Sequence, residues 1–364
     1  MLYKLLSRSG RYDESVLCLG NNLDTPIARK ILALGVKISV CGFSKKSANA
    51  GSVLKLRKAI KSINPDVIHS WMYHGNVASV LCHKWAPRSR LIWNVRHSLH
   101  DIKHETFFIK ASIKINRFLS QMPDAVVYNS NTSALQHESF GFASNHSVTL
   151  PNGFDCELFS PDAALRKETR GQYSVGDETL ALGVVARYHE MKGHRVCLEA
   201  AGMLKKEGVD FRLFLIGAGL DKENRPLAQL IRAYEVEEQV TLLGEQGHLE
   251  SFHRMFDVLI SSSLWGEAFS NSIGEAMACA VPCVVTDVGD SASIVGDTGI
   301  VVVPADAAAL AAGIVKLARL PIAERTALGM KARERVTDLY SIQKVAELYD
   351  DLYTTLIQKQ PRLK

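Results

Sequence analysis

From one end of this chain to the other, short β-branched runs alternate with amphipathic stretches, and that alternation limits the fold more than any other feature. It is the signature of parallel sheets flanked by helices. In the first half, Ser15–Leu19, Val36–Cys41, Asp66–Ser70, Leu91–Val95, Asp124–Tyr128 and His146–Leu150 read as strands. Helices are expected over Thr25–Leu34, Ser52–Ile63, Gly75–Trp85, Glu105–Gln121 and Asn131–Phe140. In the second half the strands read Thr179–Val185, Phe211–Ile216, Gln239–Leu243, Val258–Ser262, Cys283–Thr286 and Ile300–Val303. Its helices fall at His194–Glu207, Arg225–Tyr234, Leu249–Met255, Ser272–Cys279 and Ala307–Leu317.

The expectation is two successive α/β units of six strands each, divided near Pro151–Pro161, where a strand runs into Pro151-Asn-Gly and a polar stretch follows. A closing helix, Ser341–Leu356, has an apolar stripe of Val345, Leu348, Tyr349 and Leu352 suited to packing back on the first unit. The domain limits read as 1–155, 156–340 and 341–364. The chain opens on a helix, Met1–Ser7, whereas a doubly wound domain opens on a central strand whose loop helps to form the cleft. Either the domain is built differently or the sequence starts after that strand, and the later start is the expected reading.

The length of 364 residues suits two or three domains, and 47% hydrophobic with 22% charged residues describes a globular chain with real cores. A net charge of +5 fits an enzyme of anionic substrates, as it fits many other proteins. The 7 cysteines are scattered, odd in number and without a CxxC, which favours buried thiols in a reducing cytoplasm over disulfides or zinc. No apolar run reaches the ~18 residues of a membrane span. The opening Met1-Leu-Tyr-Lys-Leu-Leu is too short for a signal peptide. A cytoplasmic location is expected, with contact at most on the inner membrane face.

The segment richest in chemistry runs from Leu264-Trp-Gly-Glu-Ala-Phe-Ser-Asn-Ser-Ile-Gly-Glu to Cys283. It leaves a parallel strand at the end where ligands bind, and opens a helix near Ser270, Asn271 and Ser272 whose free N–H groups suit a diphosphate. Glu267 lies just before those donors. Glu275 lies one turn into the helix, placed to accept from a vicinal diol. Taken alone, Glu275 reads equally as part of a capping box, Ser272-Ile-Gly-Glu275, and Glu267 as a solvated loop acid. The second constellation is Gly183-Val-Val-Ala-Arg-Tyr-His-Glu-Met-Lys-Gly-His194. Arg187 and Lys192 sit in a strand-to-helix loop, one offering a fork and the other a point charge to phosphate oxygens. The alternative is an ordinary basic surface pair.

Glu267-x7-Glu275, the Arg187-x4-Lys192-Gly193 loop and Pro151-Asn-Gly-Phe-Asp together resemble glycosyltransferase family 4, over nearly the whole chain. The resemblance implies retaining enzymes of the GT-B fold: two facing Rossmann-like domains, with the last helix crossing back to the first. It implies that Arg187 and Lys192 hold the donor diphosphate, Glu267 the donor sugar and Glu275 the ribose. Backbone N–H groups of Ser270, Asn271 and Ser272 add phosphate contacts, and Phe269, Gly217 and Gly244 complete the donor-binding set. Trp93-Asn-Val-Arg-His97-Ser resembles the strand end that carries a histidine beside the donor sugar; the alternative for His97 is a satisfied structural residue. His69 and His74 are weaker candidates for acceptor contact.

The implied reaction moves a hexose-type sugar from a nucleotide-diphosphate sugar, taken as UDP-linked, to a glycan or lipid-linked acceptor in cell-surface polysaccharide synthesis. No Asp-x-Asp occurs, so no metal and no other cofactor is expected. No nucleic-acid partner is expected. The family's usual first strand and glycine-rich loop have no counterpart after Met1, which keeps two rival readings open. One is an inactive remnant that binds nucleotide sugar. The other is a sugar-nucleotide epimerase of the same fold, which would lack the ordered Arg187, Lys192, Glu267 and Glu275. Finally, Lys103, Lys110, Lys114 and Arg117 are interleaved with Phe107, Phe108, Ile109, Ile113 and Ile115. That pattern suits either a helix lying on anionic lipid or an ordinary helix packed on its sheet.

Overall fold

The computed structural model describes residues 1–8, 10–43 and 50–358. The chain divides into two compact units, residues 1–153 with 342–364, and residues 154–341. Residues 359–364, the end of the expected closing segment, lie outside the described residues.

In the first unit α1 (Leu2–Leu6), β1 (Ser15–Cys18), α2 (Pro26–Ala33), β2 (Lys37–Val40) and α3 (Ala50–Ile63) come first. They are followed by β3 (Val67–Trp71), α4 (Met72–Trp85), β4 (Arg90–Val95), α5 (Phe107–Leu119), β5 (Ala125–Tyr128), α6 (Asn131–Ser139) and β6 (Ser147–Thr149). All pairings are parallel, but the strands do not join into one sheet of six. β1 pairs with β2, and β3-β4-β5-β6 form a separate four-stranded sheet. Strand alternation divides the core as the pleat requires. Leu91, Trp93, Val95, Val126 and Tyr128 face one cluster, and Ile92, Ala125 and Val127 face another.

The second of these clusters is closed by α15 (Ile342–Gln358), which brings Val345, Tyr349 and Leu356 onto the sheet. The chain thus leaves the first unit at Gly153 and re-enters it at Ile342. Leu348, expected in the packing stripe, is exposed instead. Its place beside Tyr349 is taken by Leu352 and Tyr353.

The second unit is a single parallel sheet in the order β12-β11-β10-β7-β8-β9. Its strands are β7 (Leu180–Val185), β8 (Phe211–Ile216), β9 (Val240–Gly244), β10 (Val258–Ser261), β11 (Cys283–Thr286) and β12 (Ile300–Val302). The helices are α7 (Ala163–Gln172), α8 (His194–Lys206), α9 (Arg225–Ala233), α10 (Leu249–Met255), α11 (Asn271–Ala278), α12 (Ser291–Val295), α13 (Ala307–Ala318) and α14 (Ile322–Tyr340). The chain steps outwards from β7 through β8 to β9, then returns so that β10 lies on the other side of β7. Loops after β7 and β10 therefore part at the point where the strand order reverses, and such a crevice is where ligands of doubly wound sheets bind.

The polar stretch after Pro151 is no solvated linker. Phe154 and Phe159 are buried in the second unit's core, and Phe154 N donates to Tyr340 O at 2.8 Å. Helix α7 has a capping Asp162, whose side chain accepts from Leu165 N, and buried Arg170 anchors it by donating to the carbonyls of Met255 and Thr179.

Candidate functional site

The site grows from the two loops at the reversal point. The loop after β7 ends in a short 3-10 turn, Glu190–Lys192, and enters α8 through Gly193 at φ 64°. A Cβ on Gly193 would stand 2.0 Å from the carbonyl oxygen of Ser262, so only glycine lets the two loops come this close. Ser262 Oγ donates to Lys192 O at 2.9 Å, and Leu264 N donates to Met191 O at 2.7 Å. The loop after β10 is held from its other side as well. Thr286 Oγ1 donates to Ser263 O at 2.6 Å, and Asp290 N donates to Ala268 O at 3.0 Å.

These clamps bring two of the sequence candidates into direct contact. Lys192 Nζ pairs with Glu267 Oε2, and both side chains are largely screened from solvent. Ser263 Oγ adds a hydrogen bond to the same carboxylate oxygen at 3.1 Å. Such a carboxylate is fixed in orientation and retains one oxygen for a hydroxyl donor. Arg187, by contrast, is exposed and makes no hydrogen bond or ion pair among the described residues.

Helix α11 starts at Asn271 with Ser270 as its N-cap residue, whose own side chain makes no capping hydrogen bond. The capping-box reading of Glu275 fails on this geometry. Ser272 is inside the helix, and its hydroxyl lies 3.2 Å from that of Ser270. Glu275 instead faces His253, whose Nε2 is 3.7 Å from Glu275 Oε2. His253 is fully buried on α10, and neither ring nitrogen has a hydrogen-bond partner. A lone histidine in an amphipathic helix gave no signal for this role.

Gly217 and Gly244 lie together, with Gly217 N donating to Gly244 O at 2.7 Å. Gly217, at φ 143°, presses on the backbone of Ala186, which leads into Arg187. The Phe269 ring, of the expected donor-binding set, lies in the core of its unit. It is buried against Phe154, with centroids 6.1 Å apart, and Tyr340, at 5.5 Å. Its work is to pin the loop that presents Glu267 and Ser270.

The histidine candidates belong to the first unit, and nothing in its geometry joins them to one another. His97 follows β4, and its Nε2 lies 2.7 Å from Glu105 Oε1, a partner that the sequence did not suggest. His69 is half-buried. Its Nδ1 lies 2.8 Å from Tyr353 Oη and its Nε2 3.1 Å from Asn94 Nδ2. Burial, reinforced by the nearby Arg96 cation, lowers its pKa to about 3. Both ring nitrogens thus have partners within the unit. His74 is exposed, with Nε2 3.2 Å from Ser112 Oγ. Among the described residues no cluster of three metal-ligating side chains occurs.

Two family models match the chain. The model of Glycosyltransferase Family 4 covers residues 2–158. That of Glycosyl transferases group 1 covers residues 166–335, including both loops of the site. The chain belongs to glycosyltransferase family 4. The EpsF protein of Bacillus subtilis is 34% identical over 142 residues, which are 38% of this chain and 35% of EpsF. The capsular polysaccharide biosynthesis glycosyltransferase CapM of Staphylococcus aureus is 26% identical over 210 residues, 57% of this chain and 54% of CapM. The match thus spans about a third to a half of these curated relatives. Among solved structures, HepE of Anabaena in complex with UDP superposes with a TM-score of 0.83 at 17% identity, over 97% of this chain and 95% of that one. At that identity the likeness is one of fold, the α/β GT-B fold of the family 4 enzymes.

Proposed function

We propose that this family 4 member transfers a sugar, with retention, from a nucleotide-diphosphate sugar to a glycan or lipid-linked glycan acceptor in cell-surface polysaccharide synthesis. The observation that carries the reading is the Lys192–Glu267 pair standing at the strand-reversal point beside the N-terminus of α11. A cation, an oriented carboxylate and backbone N–H groups are the parts needed to hold a sugar diphosphate. Solved complexes of HepE contain UDP and UDP-glucose, which supports a UDP-linked donor here.

In this reading Arg187 and Lys192 bind the diphosphate and offset the charge that grows on it as the bond from the anomeric carbon to phosphate oxygen breaks. Glu267, held by Lys192 and Ser263, accepts from hydroxyls of the donor sugar. Glu275 accepts from the ribose diol. His97, held by Glu105, is assigned to the donor sugar from the first unit. The acceptor hydroxyl adds to the anomeric carbon on the face the phosphate leaves, and its proton passes to a departing phosphate oxygen. No protein nucleophile is required, and the cationic side chains carry the electrostatic work without an Asp-x-Asp motif.

The test is release of UDP from a panel of UDP-sugars in the presence of glycan acceptors, for the parent and Glu267→Ala. Loss of one oriented electrostatic contact of this kind lowers turnover by roughly 10²–10³-fold. A fall of that size with unchanged melting temperature supports the assignment. Turnover within a few-fold of the parent contradicts it. Tight UDP binding without any transfer by the parent would favour the remnant reading instead.

A further inference from the structure

Helix α5 is the place where the molecule departs most from ordinary burial. Phe107, Phe108 and Phe118 are 78%, 72% and 85% exposed, and Ile115 is 46% exposed. Every other phenylalanine among the described residues is buried or half-buried. At 3.6 residues per turn, Phe107, Phe118, Ala111, Ile115 and Phe108 fall within one arc of about 100°. Lys114, Lys110 and Arg117 follow along a single flank of that arc. Ile113 and Asn116, both fully buried, lie on the opposite side and seat the helix on its unit. One face therefore packs on the unit, and the other is left exposed.

The charged side chains of the helix itself are all basic. Helix α5 contains no acid. Of the acids just before it, Asp101 accepts from Lys103 N at 2.8 Å and Glu105 is turned to His97. Arg117 stacks over Phe140 at 5.6 Å, and Phe140 also lines a shallow open hollow with Leu99, Ile102 and Leu135. Exposed apolar side chains bordered by cations on one edge match an interface that is apolar within and anionic at its surface. A soluble partner would need an apolar groove with an acidic lip; a bilayer containing anionic lipid supplies both layers at once.

We infer that the outer face of α5 docks on an anionic lipid bilayer, with Phe107, Phe108, Ile115 and Phe118 entering the headgroup boundary and Lys110, Lys114 and Arg117 meeting lipid phosphates. The inference does not depend on sugar transfer. It also gives the first unit a route to acceptors carried on lipid.

Flotation of the full chain with phosphatidylcholine vesicles, with and without phosphatidylglycerol, tests it. The parent is expected to float only with the anionic vesicles, and to be released by high salt. Lys110→Glu with Lys114→Glu is expected to lower partitioning at least ~10-fold, since each basic residue near such a surface is worth roughly 1 kcal/mol. Phe107→Ser with Phe108→Ser and Phe118→Ser is expected to abolish it. Because these side chains are exposed, the variants keep the parent's melting temperature and UDP affinity, which separates lost docking from lost folding. The proposal is overturned if the parent stays with the soluble fraction, or if the triple variant floats as the parent does. It is equally overturned if, without lipid, sedimentation shows a dimer that the same substitutions dissolve, since the face would then serve a second copy of the chain.

Discussion

Strand β10 carries a cluster of charges at each of its ends, and the two clusters are built on opposite principles. Just before the strand, Asp257 accepts from Arg166 at 2.7 Å, from Arg170 at 2.9 Å and from Ala181 N at 2.8 Å, with Arg325 at 3.8 Å. Arg170 spends its remaining donors on backbone carbonyls. Nothing there is left for a ligand. Beyond the strand, Lys192 and Glu267 share one contact, Arg187 makes none among the described residues, Glu275 faces a histidine without a hydrogen bond, and the side chain of Ser270 does not cap α11. Ion pairs at the first end are saturated and hold the fold. Those at the second are under-satisfied and held open by loops that their neighbours clamp. A charged residue at a strand end thus reveals its role through the partners it lacks, more than through its type.

Removing Asp257 should give the largest effect. Asp257→Ala strands buried guanidinium groups and is expected to cost about 3–5 kcal/mol, read as a loss of urea midpoint, with UDP affinity retained in the fraction still folded. A change under about 1 kcal/mol would erase the contrast between the two ends.

Acid comes next, and it compares the two units. His69 and His137 in the first unit have pKa values lowered by burial to about 3 and about 4, and His194 in the second is lowered to about 4. Each is neutral when folded and binds a proton when unfolded, so stability is full above about 6.5 and falls as pH drops towards the folded values. Each histidine removes up to about 1.4 kcal/mol per pH unit in that window. Thermal scans between about pH 6 and about pH 5 should show the first unit weakening roughly twice as steeply as the second. His69→Phe with His137→Phe should flatten the difference; unchanged slopes would count against it.

The smallest effect on stability is expected at the open end. Arg187→Ala removes an exposed, unpaired side chain and should change the unfolding free energy by less than about 0.5 kcal/mol.

Much of this was readable from the chain. Strand periodicity placed Phe211–Ile216 and Cys283–Thr286 at their observed limits, and helix Leu249–Met255 likewise. Helix α14 escaped because its buried face is Gly329, Ala332 and Val336, too small to register as an apolar stripe amid its charges. Helix α7 escaped for a similar reason, since it is anchored by Arg166 and Arg170 and not by a row of large apolar side chains. The division of the first unit's strands into two sheets leaves no mark on a pattern of runs. At the site, Lys192, Glu267 and Glu275 were visible as charges beside glycines, and Arg187 as a charge in the loop after a strand. The Glu267 partner Ser263, the Glu275 partner His253 and the His97 partner Glu105 come from positions whose proximity only the fold creates. The core contacts of Phe269 were hidden for the same reason, because an aromatic ring next to a polar loop serves core or ligand equally well.

The central claim is that the open end of β10, with the loop after β7, holds the diphosphate of the donor. Calorimetric titration of UDP into the parent and into Arg187→Ala with Lys192→Ala tests it most directly. Two charge-assisted contacts, each worth roughly 1.5–3 kcal/mol, predict a loss of affinity of at least ~100-fold with the melting temperature preserved. Parent-like UDP affinity in that doubly substituted protein would contradict the account.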